Sequence, residues 1–173
     1  IVARAGTNVS SVNYYFGSKE ALYEAVLDTV FDKLNEEIDD YIGNRNTDDS
    51  TSDPVWDFAL RRIIKGFPIH KNGPPRLLGW EIISKGFEKN NFLEKHMVVM
   101  EERVASFLSP LFPEEFRTDQ KLLAARWFLA ATMPPPPLIH TMKDKLGSSP
   151  EQSELEHMAI PLADAAVAGL ISM

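Results

Sequence analysis

The chain has 173 residues, which is enough for one good hydrophobic core or for a small domain followed by a larger one. Its 44% hydrophobic and 25% charged residues are ordinary for a globular protein, and the absence of cysteine excludes disulfides and thiolate metal sites. The net charge of −7 argues against a basic footprint for nucleic acid spread over the whole protein.

Two glycines in the opening stretch, IVARAGTNVSSVNYYFGSKEAL, each predict the end of a helix. Gly6 and Gly17 can adopt the left-handed conformation that helix C-termini favour. Asn8 and Ser18 follow them closely, and each side chain can accept a hydrogen bond from a backbone N–H at the start of the next helix. The stretch therefore predicts three helical segments joined by two tight turns.

The short helix between these turns is predicted to be amphipathic. Its apolar side chains recur at helical spacing and form one stripe, Val9, Val12 and Phe16. Its polar side chains fall away from that stripe and include Ser10, Ser11 and Tyr14. A short helix that exposes small polar side chains after a glycine-containing turn is typical of a helix-turn-helix, which binds DNA.

Two segments of this stretch resemble the signature of the TetR family of bacterial transcriptional regulators. They are Ala5-Gly6 and residues 12–22, VNYYFGSKEAL. The family signature is roughly A-G-V-S, three free positions, then L-Y-x-Y/H-F-x-S-K-E-x-L. Thr7-Asn8 stand where the family usually has Val-Ser, which keeps the N-cap chemistry, and Asn13 stands where Tyr is frequent. The resemblance covers only this end of the chain. It implies operator binding as a dimer, usually repression, and release by a small molecule.

We expect DNA contacts from the short helix and from the residue that opens the next one. The candidates are Ser10, Ser11, Asn13, Tyr14 and Lys19. Lys19 is unusual near a helix N-terminus, because a cation there opposes the macrodipole. A phosphate bound at that position would explain the lysine.

Charge within residues 1–24 is balanced, because Arg4 and Lys19 oppose Glu20 and Glu24. The acidity therefore lies in the rest of the chain. The sequence also begins in the middle of a helix, so we expect the family's first helix and an often basic arm to lie upstream. We accordingly predict a partial DNA-binding domain at 1–24 and an effector-binding and dimerisation domain at 25–173.

A long helix is predicted from Ser18 to about Gly43. Its apolar residues repeat every fourth position, at Leu22, Val26, Val30, Leu34 and Ile38. Residues 43–53 are polar and rich in turn formers. Pro54 suits the first position of the next helix, and Pro68 should disrupt its end.

The middle of the chain predicts a helix at 77–87 that is apolar on most of its surface, followed by a helix with an apolar stripe over 93–108. Most simply these side chains form the core. Alternatively they line a largely apolar effector cavity, for which the candidates are Trp80, Phe87, Met97, Met100 and Phe107. The resemblance favours the cavity, since that family pairs its DNA module with a helical effector domain.

The last two helices are more apolar than the core of one chain needs. Thr118 or Asp119 should cap the first of them, four prolines at 134–137 exclude helix there, and Pro161 predicts a kink or break near Ile160 in the second. A two-fold four-helix interface would bury their apolar faces. The predicted interface residues are Leu123, Trp127, Ala159, Leu162, Ala163, Ala166 and Leu170.

No catalytic, metal or cofactor site is indicated. The four histidines, His70, His96, His140 and His157, lack the HExxH spacing of a zinc site, and neither a Gly-rich phosphate loop nor a G-x-S-x-G elbow occurs. Glu101 and Glu102 are adjacent on a predicted helix and therefore point in different directions, so they do not form a paired-carboxylate site.

The sequence thus predicts an all-α protein, with an incomplete helix-turn-helix followed by a helical effector-binding and dimerisation domain. The predicted partners are palindromic double-stranded operator DNA, a small apolar effector and a second copy of the chain. No membrane partner is expected, because the apolar tail at 157–173 is too short to span a bilayer, and we expect a cytoplasmic protein. Two alternatives stay open, a helical small-molecule carrier that does not bind DNA and an α-helical enzyme.

Overall fold

The computed structural model describes residues 6, 8–43, 53–69, 91–133 and 151–173. These residues form six α-helices and one short 3-10 helix and contain no strand, which confirms the predicted all-α class. The helices are α1 (Val9–Phe16), α2 (Lys19–Gly43), α3 (Pro54–Ile69), α4 (Asn91–Leu108), α5 (Thr118–Ala131) and α6 (Gln152–Ile171), and the 3-10 helix is Ser109–Leu111. The predicted helix at 77–87 and the proline run at 134–137 lie outside the described residues.

The starts of the helices follow local capping chemistry. Asp53 accepts a hydrogen bond at 2.8 Å from the backbone N–H two residues later, and Pro54 takes the first position of α3 as predicted. α5 differs from the prediction, since Thr118 is its first helical residue and Arg117 occupies the N-cap position. The Arg117 N–H donates to the Gln120 side chain at 3.0 Å, so this contact defines the start of α5.

Of the two prolines expected to disrupt a helix, one stands close to the end of α3 and the other is accommodated inside α6. α3 passes through Pro68 and ends one residue later. α6 is uninterrupted, so the predicted break near Ile160 is wrong. Pro161 and His157, one turn earlier, are both exposed. Water can therefore bind the His157 carbonyl, which has no helical N–H partner because proline lacks one.

α2 buries the predicted face only in part, since Val30 and Ile38 are buried as predicted and Leu34 packs against the core. Its buried side chains are Leu27, Val30, Phe31 and Ile38, whereas Val26 is 43% exposed. A strict four-residue repeat drifts by about 40° at each step, because an α-helix turns about 100° per residue. The predicted repeat through Val26 therefore cannot stay on one face, and the buried set follows steps of three, four and seven residues.

One hydrophobic core joins α2 to α6. α3 packs most extensively against α6, α4 packs against α5, and α1 contacts α2. The largest fully buried apolar side chains are Phe31, Phe128, Leu27, Ile63, Leu93 and Leu108. The stripe predicted for 93–108 is confirmed in α4, whose Leu93, Met100 and Val104 all lie in this core.

The small side chains of α6 also belong to the core. Ala159, Ala163, Ala166 and Leu170 are at most 4% exposed within one chain. Their spacing places them on one face of the helix, and α3 and α5 pack against α6. These four positions therefore offer no surface to a second copy, which corrects their prediction as interface residues. Leu123 is 66% exposed, and Trp127 and Leu162 are partly exposed, so these three remain available.

An ion pair between a buried glutamate and an exposed arginine joins α4 to α5. Glu101 is 1% exposed and accepts hydrogen bonds from Arg126 Nε at 2.7 Å and Nη2 at 2.9 Å. This hydrogen bonding raises the pKa of Arg126. Glu101 is thus a structural carboxylate of the core, consistent with the expectation that it forms no acid pair with Glu102.

Polar contacts also attach α2 to α4. His96 Nε2 lies 2.8 Å from Asp28 Oδ1, and the imidazole stacks on Phe31 with ring centroids 4.6 Å apart. Further along both helices, Arg103 Nη1 lies 2.9 Å from Asp39 Oδ2. The helix that follows the helix-turn-helix is therefore fixed to the core at two points about three turns apart.

Candidate nucleic-acid interface

The turn before α1 has the geometry that the sequence predicts. Gly6 has a φ of 63°, in the left-handed region that favours glycine. Asn8 is the N-cap residue of α1, and its Oδ1 accepts a hydrogen bond from the Ser11 N–H at 3.0 Å. The predicted cap of the short helix is therefore confirmed.

The turn between α1 and α2 consists of Gly17 and Ser18. Gly17 has a φ of 78°, and its N–H donates to the Asn13 carbonyl at 3.0 Å. Ser18 Oγ accepts a hydrogen bond from the Ala21 N–H at 3.0 Å, as expected of a cap. A Cβ at position 17 would meet no atom within 4 Å, so the glycine serves the backbone conformation rather than close packing.

Most of the predicted DNA-contact residues are exposed on this module. Ser10, Asn13, Tyr14 and Lys19 are exposed, and Tyr14 reaches 81%. Ser11 is only partly exposed, and its hydroxyl donates to Asn8 Oδ1 at 3.3 Å as part of the α1 cap. Four hydrogen-bonding side chains are thus free to meet a ligand, while Ser11 is partly committed to the helix. DNA contact by each of them stays a prediction.

Tyr15 extends this exposed surface and was not among the predicted contacts. It is 75% exposed, and its ring lies edge to face against Tyr14, with centroids 5.0 Å apart and an interplanar angle of 85°. The contact places two phenol hydroxyls on one small helix. The Tyr-Tyr pair in the sequence was the signal that could have identified Tyr15.

Positive charge is sparse at this end of the molecule. Lys19 is the one cation within described residues 8–24, and Glu20 and Glu24 are exposed on α2 nearby. An anion here would therefore be held by Lys19 together with the backbone N–H groups at the start of α2 that Ser18 leaves unpaired. A broad basic surface is not available among these residues.

A separate groove of about 680 Å³ lies between α2 and α3. Apolar side chains form much of its wall, including Leu34, Ile38, Phe58 and Ile64. Charged side chains also line it, and Arg62 of α3 is one of them. The groove thus combines apolar surface with charged side chains of both signs.

The predicted effector residues are placed elsewhere. Met100 is 5% exposed in the core, and Met97 and Phe107 pack against the core from its edge. Phe107 contacts the Phe58 ring edge to face at 5.2 Å between centroids. These three positions do not line the groove between α2 and α3. Their packing is that of core side chains, the simpler of the two alternatives. Trp80 and Phe87 lie outside the described residues.

Neither a metal-binding cluster nor a membrane-spanning helix is found in the described part of the chain. Within it, no group of three or more histidine, aspartate or glutamate side chains is arranged to hold a metal ion. In the same ranges, none of the helices has the length and apolar character needed to cross a membrane.

Comparison with known proteins identifies the module at the N-terminal end. Residues 1–26 match the family described as bacterial regulatory proteins, tetR family. The match spans α1, both glycine turns and the first two turns of α2, and it ends before α3. No curated protein and no solved structure matches the chain.

Proposed function

We propose that this chain, which belongs to the TetR family of bacterial transcriptional regulators, is a repressor that binds a palindromic operator as a homodimer and releases it when a small effector binds. The observation that carries the proposal is the family match over the helix-turn-helix, whose turn geometry is described above. Regulators of this family are in general DNA-binding proteins rather than enzymes. Such a role belongs in the cytoplasm, where the DNA is.

In this proposal α1 is the recognition helix. Ser10, Asn13 and Tyr14 supply a hydroxyl, an amide and a phenol on its exposed surface. These groups can hydrogen-bond base edges in the major groove, which carry a donor and acceptor pattern specific to each base pair. Tyr15 offers a second phenol, suited to the adjacent phosphates, which fix the register of a recognition helix on DNA.

Lys19 supplies the phosphate contact in this proposal. It is exposed in the first turn of α2, where its charge opposes the helix macrodipole. A phosphate at the start of α2 would interact with the ammonium group and with unpaired backbone N–H groups at once. That arrangement gives the lysine a favourable role that an isolated helix does not provide.

Exposed apolar side chains on α5 and α6 form the proposed dimer surface. Leu123 and Trp127 lie on α5, and Leu162 and Ile171 lie on α6. The two helices are neighbours, because a Cβ at Gly169 would contact the Trp127 ring. Two copies would pair these helices into a four-helix bundle and present two recognition helices about 34–36 Å apart, one turn of DNA.

The effector acts in this proposal by changing the spacing of the recognition helices. A ligand changes DNA affinity only if it binds one spacing better than the other. The groove between α2 and α3 supports such coupling, because α2 is continuous from its wall to Lys19. A coupling of about 1–3 kcal/mol would weaken operator binding about 5–150-fold.

Selection of DNA by the purified protein tests the proposal. Random-sequence duplexes that the protein retains over several rounds should converge on a palindrome with half-sites about one helical turn apart. A gel shift then compares that palindrome with a duplex in which one half-site is scrambled, and the palindrome should bind more tightly. Equal binding of the two duplexes, or no common motif, would contradict it. Ligand binding without DNA binding would instead favour the small-molecule carrier.

A further inference from the structure

α2 connects the helix-turn-helix to the rest of the described structure. α1 packs against α2, and beyond α1 the main packing partner of α2 among the described helices is α4. Residues 19–26 of α2 are partly or fully exposed, and Leu27 is the first buried side chain of this helix. The orientation of the helix-turn-helix relative to the core is therefore set where α2 first meets α4.

Two short side chains make a polar contact at that point. His96 Nε2 of α4 lies 2.8 Å from Asp28 Oδ1 of α2. A carboxylate only accepts hydrogen bonds, so the imidazole is the donor, in its neutral or its charged form. The imidazole also stacks on the fully buried Phe31, with ring centroids 4.6 Å apart and an interplanar angle of 11°. One face and one edge of the ring are thus held, which makes the contact directional.

The second polar contact between these helices is longer and more adaptable. Arg103 Nη1 lies 2.9 Å from Asp39 Oδ2. Between the two contacts α2 rises about 16.5 Å, from Asp28 to Asp39, whereas α4 rises only about 10.5 Å, from His96 to Arg103. The long arginine side chain spans this difference, and its many rotamers let it follow small shifts of either helix. The short His96–Asp28 contact allows no such adjustment.

We propose that His96 is a positioning residue, which fixes the orientation of the helix-turn-helix relative to the core through its contact with Asp28. Burial of Leu27 and Phe31 holds α2 in place, but the hydrophobic effect has no preferred direction. A hydrogen bond weakens steeply when it is misaligned. The His96–Asp28 contact therefore selects one orientation of α2 among those that bury the same apolar side chains.

A consequence for operator affinity rests on the proposed function. When only a fraction of a protein has the orientation that binds, its apparent affinity is reduced by that fraction. By holding α2 in one orientation, His96 would increase that fraction. Asp28 lies about 13.5 Å along α2 from Lys19, so His96 would act through α2 and not by touching DNA.

A distance between two spin labels tests the orientation without DNA. The chain contains no cysteine, so Ser10→Cys on α1 and Ser106→Cys on α4 provide two unique and exposed labelling sites. Doubly labelled chain is mixed with an excess of unlabelled chain, so that each distance is measured within one chain. Pulsed electron paramagnetic resonance then gives the distribution of label separations, which should be narrow for the labelled protein with His96 intact.

Two substitutions separate the hydrogen bond from the ring stacking. His96→Phe keeps a ring on Phe31 but removes the N–H donor, so it should widen the distribution. His96→Gln removes the ring but keeps an N–H donor for Asp28, so the distribution should stay narrow. A distribution that is wide in His96→Gln and narrow in His96→Phe would assign the orientation to stacking and overturn the inference. A narrow distribution in both variants would overturn it as well.

The partner residue and the second contact provide further tests. Asp28→Ala should widen the distribution as much as His96→Phe, and the double variant should widen it no further, because the two side chains act as one contact. Arg103→Met should widen it less than His96→Phe. Additive widening in the double variant, or a larger effect of Arg103→Met, would contradict the assignment to His96.

Arg126→Met controls for a general loss of stability. It removes the hydrogen-bond partner of the buried Glu101 on the α5 side of α4, while the His96–Asp28 contact is left intact. Its label distribution should therefore match that of the protein with Arg126. Widening equal to that in His96→Phe would show that any loosening of the core has this effect, and would overturn the positioning role.

Operator affinity is measured separately, by gel shift on the unlabelled variants. His96→Phe should bind about two- to tenfold more weakly than the wild type, the range expected for one hydrogen bond, and His96→Gln should bind about as tightly as the wild type. Wider label distributions with unchanged operator affinity would contradict the consequence for DNA binding. Failure of the wild type to bind any operator would count against the proposed function alone, because the label distances are measured without DNA.

Discussion

Two residues at the junction of α1 and α2 are unusual, Gly17 for its backbone conformation and Lys19 for its charge. Gly17 has a positive φ and contacts nothing that would exclude a Cβ, so its role is purely conformational. Lys19 follows two residues later as the single cation of described residues 8–24. The two features can be tested independently, since one concerns the backbone and the other the side chain.

Gly17→Ala should lower the free energy of local opening of α1 without disturbing side-chain packing. A β-carbon in this backbone region costs about 1–3 kcal/mol, which corresponds to about 5–150-fold faster amide hydrogen exchange if the turn opens locally. Exchange in α1 measured by mass spectrometry checks this. Gly43→Ala is the control, because Gly43 also lacks neighbours within 4 Å but has no positive φ. Similar exchange in the two variants would contradict the conformational role.

Lys19→Ala should weaken binding to all DNA sequences alike and reduce the slope of log affinity against log salt by about 0.9. Fluorescence anisotropy with the selected operator and a scrambled duplex measures both effects. Lys33→Ala removes the same charge from an exposed position further along α2, away from the helix-turn-helix, and should leave both slopes unchanged. An equal loss in both variants would show a long-range charge effect instead of a phosphate contact.

Two contacts between helices could not be predicted from the sequence of either helix alone. At Gly169, a Cβ would overlap the Trp127 ring and lie 2.9 Å from Cζ2. At Glu101, the buried carboxylate depends on a single arginine from α5. Both contacts connect elements that are distant in sequence, and both predict effects on stability.

Gly169→Ala should destabilise the protein by about 1–3 kcal/mol, because α5 and α6 must separate to accommodate the methyl group. The free energy of unfolding in urea measures the change. Combining it with Trp127→Leu should cost less than the sum of the two single changes, since the smaller side chain leaves room for the Cβ. Strict additivity would indicate that the ring does not determine the need for glycine.

Arg126→Met should destabilise the protein by about 1–3 kcal/mol, because it leaves the buried Glu101 carboxylate without either hydrogen bond. Urea unfolding measures this, and Glu101→Met in addition should restore part of the loss. Arg117→Met is the control. Arg117 also makes two hydrogen bonds to one carboxylate, that of Asp119, but the pair is exposed, so the midpoint of unfolding should not move.

The limits of several helices could be predicted because their signals are local. Ser18, Pro54 and Asn8 each act within one turn of their own position. The buried face of α2 could be assigned only in part from its four-residue repeat, because that repeat drifts around the helix and places Val26 on the exposed side. Arg62 and Glu101 carry no local signal, since their partners lie 70 and 25 residues away and are brought close only by packing.

At the scale of the whole molecule, burial separates the positions that can form a dimer from those that cannot. Ala166 is 3% exposed in one chain, so a charge there would disrupt the core instead of an interface. Leu123 is 66% exposed on α5 and is therefore the better position for a test.

Leu123→Glu should convert a dimer into a monomer and remove operator binding, while the chain stays folded. Sedimentation at micromolar concentration gives the state of assembly, and circular dichroism checks the helices. Val99→Glu places the same charge on an exposed valine of α4 and should remain dimeric. A wild-type protein that sediments as a monomer would refute the proposed dimer directly.

Because α2 is attached to α4 at two points, α2 can rotate only as a restrained lever. Its 25 residues rise about 1.5 Å each, so Lys19 lies roughly 30 Å along the axis from Asp39. A rotation of about 5° around the Asp39–Arg103 contact would move Lys19 by about 2.6 Å, most of the 3.4 Å rise of one base pair. The same rotation would separate Asp28 from His96 by about 1.4 Å, enough to break their 2.8 Å contact. The contact between His96 and Asp28 therefore limits how far α2 can rotate before that contact is broken.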